Sequence, residues 1–536
     1  MVNGRKKKWT LMFFFASDNG LSPSMLSQIK AIKSAGFQRD TNVLVYFDPN
    51  EKGAPTRFFE INRDAKRGRQ VQSRIGDCNG PIISVLAGDN LTSNELTALA
   101  GKDSNNFARS MGDSPEFDAG TALDTFLSFC REAYPAEQYM LFLVGHGLVV
   151  GQDTLMADEN PASAISLETF GKHVRKFSDA IRAESSILEL IALHSCSMSA
   201  IEVMYQLQGT ATYMMASQGI SFVGAWPYRE LLVKVFNAIE NDRECLIVAD
   251  LMTSLHYLCL HGSADFMHAG YSADLCLSKL DSGNVRKLNE PIARLTSALT
   301  AGLDDRRGRE LIQLAHLKSQ SYWGELYTDL YDFCWCLNKS CDQNDRIQES
   351  MRGACQAVMA GLTPKPTTTP EGPVVHSDYF GPDTQYSHGL SIFFPWTRPI
   401  EDAIESILPN YSKYAFTTEL GTRSWVKFLD LYFEKTKRAT RGDEDHDDKV
   451  DLSATQQEAL NVARFSFDFT GVLGHPTHIG DTALMPGKIS PPDAGGISYY
   501  PLIKNFPREL SMSIGVLDIF TRQKEELPLA NSPVAA

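Results

Sequence analysis

Two short apolar segments constrain the fold of this chain more than any other feature. Residues 139–147 read YMLFLVGHG, and residues 187–196 read ILELIALHSC. Each is an apolar run of strand length that ends at a reactive side chain, His146 in the first and Cys196 in the second. A short apolar run that ends in a turn is typical of a buried strand in an α/β sheet.

The two reactive side chains are expected at one edge of that sheet, because functional groups collect beyond the carboxyl ends of parallel strands. A thiol and an imidazole together provide a nucleophile and its proton-transfer partner. Taken alone, a cysteine at a strand end is usually structural, and a histidine after glycine is often only a turn residue. The shared setting of His146 and Cys196 favours catalysis, so the pair predicts a cysteine peptidase.

Length and charge narrow the class of protein. A chain of 536 residues is too long for one ordinary core, so two or three domains are expected. The net charge of -14 disfavours nucleic acid or an acidic membrane surface as a partner. No apolar run reaches the roughly 18 to 20 residues of a membrane span. The basic cluster at 5–8 is followed only by a strand-sized apolar run at 9–16, which predicts a cytoplasmic protein.

The ten cysteines are expected to be reduced thiols in that compartment. Cys334, Cys336 and Cys341 resemble metal ligands at first sight, but no CxxC pair partners them. Structural zinc sites use other spacings, so these cysteines are interpreted as core residues and no metal site is predicted.

The order of elements predicts a three-layer α/β/α sandwich. A strand at 9–16, a helix at 21–35 and a strand at 42–47 favour a parallel sheet with right-handed crossovers. The catalytic core is placed at 9–230, with a polar insertion at 62–117.

The rest of the chain is expected to be accessory. Residues 231–435 are predicted to form a mainly helical C-terminal domain with a late strand at 389–395. Residues 436–536 are interpreted as a charged linker and a small module. Just after Cys196, Ser199 and Glu202 have the spacing of a capping box, which predicts a helix whose dipole lowers the pKa of the thiol.

Several short motifs, in order, resemble the clostripain family, cysteine peptidases with a caspase-like fold. The likeness covers about residues 9–435. The matching segments are Phe13 to Asn19, Met111 to Asp113, Tyr134 to Glu137, Gly145 to Gly147, Cys196 to Ser199 with Glu202, Ala216 to Ser217, Trp226 to Tyr228, Asp329 to Phe333 and Gly389 to Pro395.

The resemblance implies a catalytic dyad of His146 and Cys196. The Cys196 thiolate would attack the scissile carbonyl, and the backbone N–H groups of Gly147 and Cys196 would hold the oxyanion. His146 would protonate the leaving amine and then activate water. An intracellular endopeptidase acting on protein or peptide substrates is therefore expected.

Two departures from the family pattern affect the specificity pocket. The family usually has Asp two residues before the cysteine, where it pairs with a basic substrate side chain; this chain has His194. The family often has Glu where this chain has Gln218. A pocket without its carboxylate should reject a cation, so a non-basic preference is predicted. His194 would bind a polar or acidic side chain or only fill space, and Asp18 is an alternative acid. The substrate-binding residues predicted in this way are His194, Asp18, Ser217, Gln218 and Trp226.

Activation and cofactors are less constrained. Family members are often cut after a basic residue between the dyad strands, but residues 147–171 contain no Lys or Arg, so no such processing is expected. Calcium is expected only by family resemblance, since the acidic run at 443–448 lacks the spacing of a calcium loop. Two alternatives stay open: a catalytically weak scaffold, and a protease effector kept inactive until a regulatory partner or signal binds.

Overall fold

The computed structural model describes residues 6–36, 38–48, 57–60, 118–147, 155–159, 162–241, 247–267, 271–322, 326–364, 372–396, 410–421 and 424–436. The strands are β1 (Lys7–Phe15), β2 (Thr41–Phe47), β3 (Arg57–Glu60), β4 (Ala136–Val144), β5 (Leu155–Glu159), β6 (Ala162–Ile165), β7 (Ile187–His194), β8 (Tyr213–Ala216), β9 (Ala273–Lys279), β10 (Ser321–Tyr322), β11 (Tyr327–Asp329), β12 (Val374–Phe380) and β13 (Ser391–Phe393). The helices are α1 (Ser22–Ser34), α2 (Ala119–Ala133), α3 (Leu167–Ala183), α4 (Ile201–Leu207), α5 (Tyr228–Asn241), α6 (Val248–Met267), α7 (Ser282–Arg286), α8 (Asn289–Asp304), α9 (Arg306–Lys318), α10 (Leu330–Ser340), α11 (Arg346–Leu362), α12 (Ala415–Leu420) and α13 (Trp425–Lys435), with a 3-10 turn at Pro382–Thr384.

Eight of the described strands form the central sheet, in the order β12-β9-β8-β7-β4-β1-β2-β3. Strands β2, β1, β4, β7 and β8 are parallel to one another. Towards the two edges the pairing is antiparallel: β3 pairs with β2, β9 pairs with β8, and β12 pairs with β9. The carboxyl ends of the five parallel strands in this sheet therefore meet at one edge, as the strand–helix–strand order predicted.

Helices cover both faces of the sheet. Along β1 the side chains alternate: Met12 and Phe14 join one buried cluster, and Leu11, Phe13 and Phe15 join another. Helices α2, α3 and α4 pack on the first face, and α1, α5 and α6 pack on the second. Because both faces are covered, the central parallel strands are mainly apolar rather than alternating with polar residues. The predicted three-layer α/β/α sandwich is confirmed.

Residues 231–435 form several helices, as predicted, and also contribute strands to the central sheet of the sandwich. They supply β9 and β12 to the central sheet, and β13 lies within the strand predicted at 389–395. Helices α8 to α11 pack on one another beside a small sheet of β10, β11 and β13. Apart from Thr436, the predicted insertion at 62–117 and the predicted module at 436–536 lie outside the described residues.

The capping box predicted after the cysteine is wrong. Helix α4 begins at Ile201, and its N-cap residue Ala200 makes no side-chain capping bond. The Ser199 hydroxyl instead donates to the carbonyl of Gly389 at 2.5 Å, and the Glu202 carboxylate accepts from the Phe393 N–H at 3.0 Å. These side chains connect the segment after β7 to the segment around β13, about 190 residues further on.

None of the helices in the described part of the chain is both long and apolar enough to cross a bilayer.

Candidate active site

Strand register brings His146 and Cys196 to matching positions at the sheet edge. Strands β4 and β7 are neighbours, and Val144 pairs with His194. Each reactive residue follows two positions later, directly beyond the carboxyl end of its strand. The two segments are therefore adjacent, as the sequence predicted.

Gly147 is the point where the two segments touch. A Cβ atom added to Gly147 would lie 1.9 Å from the Cys196 carbonyl oxygen and 3.1 Å from its nitrogen. No real side chain tolerates such a contact, so only glycine fits. The preceding residue is held from β5, where the Met156 N–H donates to the His146 carbonyl at 3.1 Å, and the His146 side chain is partly exposed.

The thiol of Cys196 is fully buried and engaged by the backbone of Ser221. The Ser221 N–H donates to Cys196 Sγ at 3.3 Å, and Sγ donates to the Ser221 carbonyl at 3.6 Å. Burial raises the pKa of Cys196 above its ordinary value, and the nearby Asp274 raises it further. The sequence predicted a lowered thiol pKa, whereas the pKa is raised and desolvation is the largest cause of the shift.

The turn that carries the thiol is strained. Ser197 has a φ of +57°, a left-handed conformation that residues other than glycine rarely adopt. Its N–H donates to the Gly219 carbonyl at 3.1 Å, and the Ser199 N–H donates to the Ser217 carbonyl at 2.8 Å. The segment after β8 therefore fixes the turn that follows β7. Within this region the buried Ser195 hydroxyl has no hydrogen-bond partner.

His194, predicted to line the specificity pocket, lies in an aromatic stack. Its ring is parallel to the Trp226 ring, with centroids 4.3 Å apart and an interplanar angle of 2°. Nδ1 lies 2.7 Å from the Tyr228 hydroxyl, and Nε2 lies 2.8 Å from the Phe222 carbonyl. Burial lowers the pKa of His194 to about 3, so the ring is neutral at physiological pH.

Gln218 and the neighbouring backbone belong to a buried polar network. Gln218 Oε1 accepts from the Gly389 N–H at 2.8 Å, and Nε2 donates to Asp329 at 3.0 Å. The N–H groups of Gln218 and Gly219 donate to Asp274 at 2.6 and 2.8 Å. Burial raises the pKa of Asp274 to about 6. The side-chain amide of Gln218 is thus occupied at both ends by protein partners.

Asp18 lies at the same edge but further from the cysteine. Strand β1 pairs with β4 on the side away from β7, and Phe15 is opposite Val144. Asp18 follows this strand end, is 4% exposed, and is thereby one strand further from Cys196 than His146 is. Ser217 and Trp226 are also buried, at 3% and 1% exposure.

Three residues around the thiol were not predicted. Tyr228 belongs to the Trp226–Tyr228 motif, so the sequence carried a signal for it, although only Trp226 was assigned to the site. Ser221 acts through its backbone, which no residue type reveals. Asp274 is the second residue of β9, an antiparallel strand in a region predicted to be mainly helical, so its approach to Gly219 depends on the sheet order.

The described residues do not fit a calcium or zinc ion. They contain no group of three or more His, Cys, Asp or Glu side chains that could hold a metal. Cys334 and Cys336 are buried on α10, Cys341 is partly buried just after it, and none of the three forms a disulfide. The acidic run at 443–448 lies outside the described residues.

Comparisons with known proteins agree on one family. The family model described as "Clostripain family" matches residues 13–427. Clostripain from Hathewaya histolytica is 21% identical over 513 residues, covering 82% of this chain and 89% of that protein.

Among solved structures, the inactive zymogen of a C11 protease from Parabacteroides distasonis has 14% identity and a TM-score of 0.46, covering 78% of this chain and 99% of its own. A secreted C11 cysteine protease from Bacteroides thetaiotaomicron in complex with an irreversible peptide inhibitor has 13% identity and a TM-score of 0.45, covering 80% and 99%. The family match spans most of the chain. It includes all five parallel strands of the central sheet, although β1 is included only from Phe13 onwards, and the predicted caspase-like fold is confirmed. This chain belongs to the clostripain family and is a cysteine peptidase.

Proposed function

We propose that this protein is an endopeptidase that uses Cys196 as its nucleophile and His146 as its general acid and base. The observation that carries the proposal is the register of β4 and β7. Val144 pairs with His194, and His146 and Cys196 each follow two positions after one of these paired residues. The contact between Gly147 and the Cys196 backbone brings the two turns together. A peptide amide bound at this edge would meet the thiol, the imidazole and two backbone N–H groups at once.

In the proposed reaction, His146 takes the thiol proton and the Cys196 thiolate forms a bond to the scissile carbonyl carbon. The N–H groups of Gly147 and Cys196 stabilise the oxyanion, and one such donor contributes about 3 to 4 kcal/mol in comparable sites. His146 returns the proton to the leaving amine as the C–N bond breaks. Water, deprotonated by His146, then attacks the thioester and releases the acid and the free thiol.

The proposed specificity is non-basic. Where family members carry a pocket carboxylate, this chain places the neutral ring of His194. Gln218 uses its side-chain amide for Asp329 and Gly389. A cationic substrate side chain would be desolvated at this position with no carboxylate from either residue to pair with it, and that costs several kcal/mol.

A peptidyl electrophile provides the test. Purified full-length protein is treated with acyloxymethyl ketones of varied sequence, and the modified residue is located by mass spectrometry. We expect labelling of Cys196, loss of labelling in Cys196→Ala, and a large loss of labelling in His146→Ala. Cys276, a buried free thiol on β9, serves as the internal control and should stay unlabelled. Labelling that persists at another residue when Cys196 is replaced would refute the proposal.

The burial of the thiol favours a second candidate, a peptidase held inactive until a partner or signal acts. Cys196 is fully buried, and both polar groups of the Ser221 backbone contact its sulfur. Labelling should then rise at least tenfold after incubation with cell extract that contains the activator. No labelling under either condition would favour the catalytically weak scaffold. An intracellular location stays a prediction.

A further inference from the structure

The surroundings of His194 define which substrate side chains its position can accept. Phe222 offers a carbonyl oxygen, which can only accept a hydrogen bond, so the nearby Nε2 of His194 must carry the ring proton. In the neutral ring Nδ1 is then an acceptor, and the Tyr228 hydroxyl donates to it at 2.7 Å. One tautomer satisfies both contacts.

Tyr228 is itself held rigidly. It is fully buried, and its ring makes edge contacts with Phe13, Phe15 and Phe142 on β1 and β4. Its hydroxyl therefore points to His194 from a fixed position, and the ring of His194 cannot turn without breaking a buried hydrogen bond. Leaving a buried polar atom unpaired costs about 1 to 3 kcal/mol.

The result is a position with no hydrogen-bonding group to offer. Both nitrogens of His194 are used by the protein, and one face of the ring is covered by Trp226. The ring cannot pair with a cation, because it is neutral and its only lone pair accepts from Tyr228. It cannot bind a carboxylate either, because its only N–H is directed at Phe222.

We propose that the enzyme cleaves after an uncharged residue and that Tyr228 is the positioning residue that enforces this, by locking His194 in one tautomer and one orientation. This inference rests on the proposed function, since position 194 contacts the residue before the cut only if Cys196 is the nucleophile. Aliphatic, aromatic and small side chains are accepted, whereas Lys, Arg, Asp and Glu are excluded.

The test uses peptidyl acyloxymethyl ketones that differ only in the residue before the reactive carbonyl: Ala, Leu, Phe, Lys, Arg, Asp or Glu. Second-order labelling rates of Cys196 are measured on the full chain. The uncharged set should react at least a hundredfold faster than the best charged probe. A charged probe that reacts within tenfold of the best uncharged probe overturns this inference and leaves the peptidase proposal standing. No reaction of Cys196 with any probe, either before or after incubation with cell extract, overturns both.

Tyr228→Phe separates positioning from stability. Without the hydroxyl, Nδ1 loses its partner and the ring is free to turn an N–H towards the substrate, so discrimination against Asp and Glu probes should fall at least tenfold. The matched control is Tyr432→Phe, because Tyr432 lies 3.2 Å from Nδ1 of the buried His316 in the other core cluster. Both variants should lose stability, but only Tyr228→Phe should change the ratio of rates. An equal effect of both variants on that ratio, or none of either, would refute the role of Tyr228.

Discussion

The two strand ends that form the site are built in different ways. At the end of β4, His146 is partly exposed, and the glycine after it allows close contact with Cys196. At the end of β7, His194 and Cys196 are fully buried. Their hydrogen-bonding partners there, Tyr228 and Ser221, follow 34 and 25 residues later.

This difference separates what local sequence determines from what tertiary contacts determine. The end of β4, here called the histidine side, depends on the register of its strand and on Gly147, which has no side chain. The end of β7, here called the thiol side, depends on whether several segments that are distant in sequence fold onto it. Substitutions on the first side should therefore act directly on the contact between the two turns, whereas substitutions on the second should act through burial, protonation and strain.

The largest effect is expected from Gly147→Ala. The added Cβ would lie 1.9 Å from the Cys196 carbonyl oxygen, so one of the two turns must move. A displacement of about 1 Å between reacting groups can cost about a hundredfold in rate. We expect labelling of Cys196 by its best electrophile to fall at least a hundredfold, together with a loss of about 1 to 3 kcal/mol in the free energy of unfolding.

A control for the added methyl group is Gly353→Ala. Gly353 lies in α11, and a Cβ there meets nothing within 4 Å. Labelling should be unchanged and stability should rise slightly, because alanine favours a helix over glycine. If Gly147→Ala behaved like Gly353→Ala, the close contact between the two strand ends would not matter for the chemistry.

The same contrast explains how much the sequence could predict. His146 and Cys196 were recognisable because apolar runs that end in a turn are a local pattern. Glu202 was misinterpreted as a capping residue, because its spacing fits a capping box while its actual donors include Phe393, far along the chain. The role of His194 could not be read from its type, since Tyr228 and Phe222 decide its tautomer.

The sheet shows the same limit. Strands β1, β4 and β7 are apolar runs, and local patterns predicted them. Strand β12 reads VVHSDYF and lies at the sheet edge, where most of its side chains are partly exposed. Its polar residues gave no strand signal, because only its pairing with β9 makes it part of the sheet.

The second prediction concerns the pH dependence of the thiol. The thiolate is the species that reacts with iodoacetamide, and burial raises the pKa of Cys196. Alkylation of Cys196 in the resting protein should rise about tenfold per pH unit from pH 7 to 9 without a plateau. The rate is followed by mass spectrometry, with free glutathione as the reference thiol. A plateau below pH 8 would mean that the thiol side is as open as the histidine side.

The third prediction concerns the buried carboxylate of Glu202, which connects the thiol side to distant parts of the chain. Glu202 is fully buried, its carboxylate accepts from Tyr411 and Phe393, and burial raises its pKa from 4.5 to about 7. Between these two pH values the folded state keeps a proton that the unfolded state releases. The free energy of unfolding should therefore fall as pH rises from 4.5 to 7, by as much as about 3 kcal/mol from this group.

Glu202→Gln removes the ionisation and keeps the acceptor oxygen. Its melting temperature should vary less between pH 5 and pH 8 than that of the parent. The remaining pH dependence of the melting temperature is expected to come from Asp274 and Asp383, because burial raises the pKa of each to about 6. Glu132→Gln, at an exposed position, is the control and should leave the slope unchanged. An unchanged slope in Glu202→Gln would show that this carboxyl is not desolvated.

The smallest effect is expected from Ser197→Gly, which tests strain on the thiol side. A left-handed φ of +57° costs an L-residue about 1 to 2 kcal/mol, and glycine adopts it freely. Glycine also gains entropy in the unfolded chain, so the net gain in stability should be about 0.5 to 1 kcal/mol in urea unfolding.

Ser185→Gly is the matched control, because Ser185 has a φ of +59° just after α3, away from the site. Both variants should be stabilised to a similar extent. Only Ser197→Gly should also slow labelling of Cys196, by a few-fold, because the relaxed turn holds the thiol less firmly against His146. A loss of stability in Ser197→Gly alone would instead mean that the serine side chain makes a contact worth more than the strain.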